Sequence, residues 1–207
     1  PAPAVPRRVV PSAASEAEPP FSARLAIEGG AAGAGELERG RIVHRLLQAL
    51  PEQPRHMRGR VAETYLNAVA SEWPESEREE TLARLLDLIE DPAHAALFEE
   101  GTRAEVPIAG LVETASDPAS VVGRIDRLRV TADRVTILDY KTNRPPPAAL
   151  DEVPDSHIAQ LALYRAVLMA LYPGRIIDGA LLYTEAPRLI PVAEEVLAQS
   201  LAVITAS

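Results

Sequence analysis

Apolar residues along the chain follow two periods. Between Glu36 and Leu50, Leu37, Val43, Leu46, Leu47 and Leu50 recur at helical spacing and Pro51 stops the run, which predicts a helix. Two more helices are expected over 55–73 and 76–89, the second ended near Asp91 and Pro92. The pattern then becomes short and rich in valine and isoleucine. Ala104 to Ala109, Val121 to Val130 and Arg134 to Tyr140 read as three strands, the last two a hairpin turning at Thr131 to Asp133. After the break at Pro145 to Pro147 a helix is expected from His157 to Leu171, capped by Asp155 or Ser156 and closed by Pro173 and Gly174. A strand from Ile176 to Tyr183, an extended piece at Leu189 to Val192 and a helix from Ala193 to about Ile204 complete the series. A crossover helix between strands implies an α/β fold: a mixed sheet flanked by helices, with a helical segment before it.

Residues 1–35 lack either period. Six prolines lie between Pro1 and Pro20 and a glycine and alanine run follows, so this stretch reads as a flexible tail or linker and not as a signal peptide. Residues 36–207 are expected to form one domain, with a helical part over 36–100 and an αβ core over 101–207. The start at proline suggests a piece of a longer protein. No apolar run reaches the ~18 residues of a membrane span.

Composition narrows the chemistry. The absence of cysteine excludes disulfides, thiolate zinc, a cysteine nucleophile and a cysteine-ligated iron–sulfur cluster. Of 21 basic residues only Lys141 is lysine, leaving 21 − 1 = 20 arginines. Compositional bias explains the arginines, and it makes the one lysine worth inspection, because lysine can join proton chemistry that arginine cannot. The net charge of −9 argues against a generic nucleic-acid coat. Charge is uneven, however: residues 39–60 carry six arginines against Glu52, a local +5, whereas 71–105 carry eleven acids against three arginines, a local −8. The first helix could therefore face an anion, or its arginines could simply form a solvated face.

The hairpin holds Gly123-Arg124-Ile125-Asp126 and Asp139-Tyr140-Lys141, one carboxylate within each of two adjacent strands. Alternation sends Asp139 and Lys141 to the same face. Two carboxylates converging with a lysine suit metal-assisted phosphodiester hydrolysis, with oxygen ligands for a hard cation and an ammonium beside the water or phosphate. A surface salt bridge is the bland reading of acid-x-lysine. On the first helix Gly40-Arg41-Ile42-Val43-His44 places a histidine one turn after a glycine, either a third ligand or a packed structural histidine. Gln160 and Tyr164, four apart, share a helix face.

In this order the four motifs resemble the RecB-type nucleases of the PD-(D/E)XK superfamily over roughly Glu36 to Tyr183. The wording Gly40-Arg41-Ile42-Val43-His44-Arg45-Leu46-Leu47-Gln48 and Leu138-Asp139-Tyr140-Lys141-Thr142-Asn143-Arg144 is most similar to the nuclease domain of the AddA subunit of bacterial AddAB helicase-nucleases. The resemblance implies a restriction-endonuclease-like sheet and a metal-dependent DNA nuclease that processes double-strand ends for recombinational repair in the bacterial cytoplasm. It makes His44, Asp126 and Asp139 side-chain ligands of Mg2+, or Mn2+ in its place, with the Tyr140 carbonyl as a further ligand. Asp126, Asp139 and Lys141 become catalytic, with Lys141 acting on water and phosphate. Gln160, Tyr164, Arg41 and Arg124 become site-supporting or DNA-contacting, and Glu105 an acid supporting the ligands from outside. Implied partners are DNA, as single strand or duplex ends, an AddB-like subunit and the chain's own helicase region, with no membrane. No phosphate-binding loop surrounds Lys141, so no ATP site is expected in this chain. Two alternatives remain: a non-catalytic module that holds DNA or the partner subunit, and a nuclease of the same fold acting on another nucleic acid.

Overall fold

The computed structural model describes residues 7–9, 34–99 and 101–206. Most of the 1–35 stretch lies outside them, but Arg7–Val9 forms a short strand, β1, beside the sheet. Helix α1 spans Ala34–Ala49, α2 Arg55–Val69 and α3 Glu75–Glu90, so the expected helical segment is there, with the second helix ending four residues early. Strands β2 (Thr102–Val112), β3 (Ala119–Val130) and β4 (Arg134–Lys141) follow, then α4 (Asp155–Leu171), β5 (Ile176–Tyr183), β6 (Arg188–Val192) and α5 (Glu194–Thr205). The cap of α4 differs from the expectation. Pro154 occupies the N-cap with no side-chain cap hydrogen bond, as do Pro54 before α2 and Pro74 before α3. The fixed proline φ sets the chain direction where a serine or aspartate would supply a hydrogen bond.

The sheet is mixed. β2 and β4 flank β3 antiparallel, β5 runs parallel to β4 and β6 returns antiparallel on β5. The parallel step from β4 to β5 passes through α4, as a crossover requires. Two apolar clusters cover the two faces. Ile137, Leu181 and Tyr183 pack with Leu161, Tyr164 and Leu168 of α4 and Leu197 of α5. Leu138, Tyr140, Ala180 and Leu182 pack on the other face with α1, α2 and α3 through Val43, Leu47, Leu66 and Leu85. Neighbouring residues of β4 thus enter opposite cores, which is the period of two expected for a strand buried on both faces.

That period breaks at one place. Ile125 packs into the α4 core, yet Arg127, two residues later, reaches the opposite side to bond Leu47 of α1. β2 turns with it: Thr102 meets Arg127, whereas Val106 and Ile108 join the α4 core. The paired register runs unchanged from Ala104↔Arg127 to Val106↔Ile125, so no residue is inserted. Glu105 takes up the rotation with φ +54°, a left-handed conformation that L residues other than glycine adopt rarely and at a cost of about 1–3 kcal/mol.

Candidate metal centre and active site

Constant register across the break puts Glu105 and Asp126 opposite one another on adjacent strands. Like charges so placed repel. Asp126 also marks the end of the β3–β4 ladder, whose pairs run only from Val130↔Val135 to Arg127↔Leu138. Beyond it the side chain replaces the backbone: Asp126 Oδ2 accepts the Tyr140 N–H at 2.7 Å. Within a strand the N–H and C=O of one residue point to the same side, so the Tyr140 carbonyl also faces the slot between β3 and β4.

His44 enters this slot from α1. Its Nδ1 lies 3.2 Å from Asp126 Oδ1, and its ring stands edge-on to Tyr140 with centroids 5.5 Å apart. Ligand atoms of His44, Glu105 and Asp126 all lie within 4.8 Å of one another, compact enough for one cation. Burial disfavours the imidazolium, but Asp126 and then Asp139 outweigh it, so the His44 pKa is raised. Two carboxylates and an imidazole facing each other at a strained backbone position fit a divalent ion, whose charge would relieve the repulsion.

Asp139 and Lys141 share the α4 side of β4, as alternation predicts. Lys141 Nζ lies 2.8 Å from Asp139 Oδ2 and donates to Gln160 Oε1 at 2.8 Å. The Asp139 carboxylate is almost completely buried, and the lysine is the ion-pair neighbour of an Oδ2 that makes no well-aligned hydrogen bond. Burial, and then the Asp126 charge, raise its pKa against the opposing pull of Lys141 and His44. Among the described residues Asp139 therefore stands beside the compact ligand group, paired with the lysine, while Glu105 stands inside it.

One face of α4 supports the site. Tyr164 OH donates to the Arg124 carbonyl at 2.9 Å and accepts the Arg124 N–H at 3.2 Å. It has room because position 123 is glycine: a Cβ there would lie 2.7 Å from the hydroxyl. Gly40 plays the corresponding part on α1, where a Cβ would crowd Thr142 Oγ1 at 3.2 Å. Arg124 pairs with Glu105 at 3.1 Å and is otherwise well exposed, and Arg41 is exposed on α1.

The same α4 face carries His157, three residues before Gln160, which sequence reasoning passed over. Its Nδ1 lies 3.0 Å from Tyr183 OH. Burial, helped by Lys141, pushes its pKa down to about 3, and burial followed by Asp139 pushes the Tyr183 phenol up to about 12. The folded state thus holds His157 neutral while the unfolded chain protonates it near 6.5. This contribution is fully present above pH 6.5 and is lost as pH falls toward 3, because the unfolded state then binds more protons. We expect His157→Gln to flatten the acid side of the melting-temperature profile between pH 6.5 and 4. An unchanged slope relative to the parent would show that His157 does not contribute.

A family model of the PD-(D/E)XK nuclease superfamily matches residues 17–202, the span that contains every residue of this site. The chain belongs to that superfamily. PD-(D/E)XK nucleases use divalent metals, and Asp139-Tyr140-Lys141 on β4 has the spacing of their acid-x-lysine motif. A solved structure titled "Crystal structure of SSO0001" is similar at 15% sequence identity with a TM-score of 0.34, over 80% of this chain and 76% of that one. No curated protein matches. Among the described residues of this PD-(D/E)XK protein no helix is long and apolar enough to cross a membrane.

Proposed function

We propose that this domain is a metal-dependent deoxyribonuclease of the RecB type, resembling the nuclease domain of AddA and working in a helicase-nuclease that processes DNA ends. The observation that carries the reading is the slot between β3 and β4. There His44, Glu105 and Asp126 form a compact ligand group beside the Asp139–Lys141 pair. The Gly40 to Gln48 and Leu138 to Arg144 wording and the lack of cysteine support the AddA kind. An AddB-like subunit and a helicase region would deliver the strand.

In this reading His44, Glu105 and Asp126 would hold Mg2+ or Mn2+, with the Tyr140 carbonyl and the buried Asp139 carboxylate available as further oxygen donors. A bound ion would supply Lewis acidity at the phosphate and make a neighbouring water easier to deprotonate. Lys141, fixed by Asp139 and Gln160, presents its ammonium to the charge that develops on the phosphate. Arg124 and Arg41 contact the backbone of the strand.

The test is Mg2+- or Mn2+-dependent cleavage of single-stranded and end-bearing duplex DNA, joined to calorimetric Mn2+ titration. We expect Asp126→Ala to lower cleavage by about 10^3-fold or more and to abolish Mn2+ binding, and Glu105→Gln to weaken Mn2+ by roughly 10- to 100-fold. Parental cleavage and Mn2+ affinity in Asp126→Ala would overturn the assignment.

A further inference from the structure

Next to the slot lies a cavity of about 420 Å3 walled by Gly35, Glu36, Arg39, Trp73, Thr142 and Arg144. Its walls come from the elements that carry the site. Arg39 precedes His44 on α1 by five residues, a rise of about 7.5 Å. Thr142 directly follows Lys141. The third wall is Trp73, in the turn between α2 and α3. A strand whose scissile phosphate rests at His44 and Lys141 would bring its neighbouring nucleotide to this opening.

The lining is suited to a base more than to a phosphate. Of the lining cations, Arg39 pairs with Glu77 and Arg144 with both Glu77 and Glu185, so most of the cationic charge is already answered. What remains is flat surface and an unused donor. The Arg39 guanidinium lies 4.2 Å over the Trp73 ring, a stack that a base could extend. Arg39 Nη1, on the cavity's own lining residue, is buried with no hydrogen-bond partner among the described residues. Ring nitrogens and carbonyl oxygens of a nucleobase are acceptors of the right kind.

We infer that this cavity is a nucleobase subsite, which takes one unpaired base of the strand being cut and stacks it on Trp73 and Arg39. The inference rests on the nuclease reading above and adds to it that the strand must be single at the nucleotide beside the cut, since a paired base cannot enter.

Trp73 is the single tryptophan of the chain, so its emission reports this cavity alone. The experiment titrates Lys141→Met protein in Mg2+ with a fluorescein-labelled single-stranded oligodeoxynucleotide of about ten residues, following label anisotropy and Trp73 emission together, with cleavage by the parent measured alongside. We expect Trp73 emission to fall in step with the rise in anisotropy. Trp73→Leu, added to Lys141→Met, should bind about ten-fold more weakly, and Trp73→Phe should bind nearly as well as the unaltered tryptophan. Thermal melts confirm that each variant is folded, and an oligonucleotide bearing one abasic position, moved along the strand, should lose a similar factor at a single register. If anisotropy rises while Trp73 emission stays constant, or if folded Trp73→Leu binds normally, the subsite is wrong although cleavage by the parent leaves the nuclease reading intact. Absence of both binding and cleavage would overturn the two together.

Discussion

Lys141→Arg is expected to leave the protein folded and to lower single-turnover cleavage by about 10^2- to 10^3-fold, despite keeping the charge. The size follows from removing one preorganised donor at a developing anion. The geometry explains why arginine cannot stand in. Lys141 Nζ is a point donor 2.8 Å from both Asp139 Oδ2 and Gln160 Oε1, and the side chain is largely enclosed between β4 and α4. A planar guanidinium on a longer stem would have to rotate its fork into a space shaped for one ammonium, and it cannot give up a proton. Lys141→Met, which keeps the stem and removes the charge, should lose as much or more. Cleavage by Lys141→Arg within three-fold of the parent would show that only charge matters here. In a chain with twenty arginines and one lysine, that result would return the lysine to compositional accident.

Much of this was legible from the chain itself, and the reasons differ by feature. Strand and helix order followed from apolar period and from breaks, because β4 and β5 are buried on both faces, α1 carries a stripe, and α4, buried on nearly every side, is bounded by prolines and Gly174. The Asp139 and Lys141 pairing followed from alternation, and Gln160 with Tyr164 from helical spacing. Glu105 did not. Its place in the ligand group depends on which residue of β2 lies opposite Asp126 and on a backbone rotation at φ +54°, and register between separate strands is not written in either sequence. His157 escaped because a lone histidine on an apolar helix carries no mark of what it faces. Trp73 likewise reaches the cavity beside Thr142 through a turn between two helices that sequence spacing cannot orient.

Arg127→Met is expected to be the most destabilising single change near the site, by about 3 kcal/mol, lowering Tm by roughly 6–12 °C for a chain of this size. Arg127 is the largest of the fully buried side chains, on a strand whose alternation alone would have made it ordinary. Its Nε donates to Tyr140 OH at 2.9 Å, Nη1 to Thr102 Oγ1 at 2.8 Å and Nη2 to the Leu47 carbonyl at 3.1 Å, and its head lies 5.1 Å from the Phe98 ring centroid. One guanidinium thus ties the end of α1, the start of β2 and the strand that carries Asp139. Methionine fills similar volume and spares the burial of a charge, which offsets part of the loss, but the Tyr140 hydroxyl and the Leu47 carbonyl are left in the core, and Thr102 at its edge, without this donor. A second consequence reaches the site. Burial raises the Tyr140 phenol pKa while Arg127 opposes that rise, and Asp126 and Glu105 act on the same ring, so the buried cation sits within the field of the ligand group. Removing it loosens Tyr140, whose N–H fixes Asp126. Mn2+ affinity should therefore fall together with Tm in Arg127→Met. Tyr140→Phe, which removes only the phenol, should cost about 1 kcal/mol, and the double variant should cost less than the sum of the two. Additive losses would mean that the Arg127 and Tyr140 bond is not what joins the helical part of the protein to its metal site.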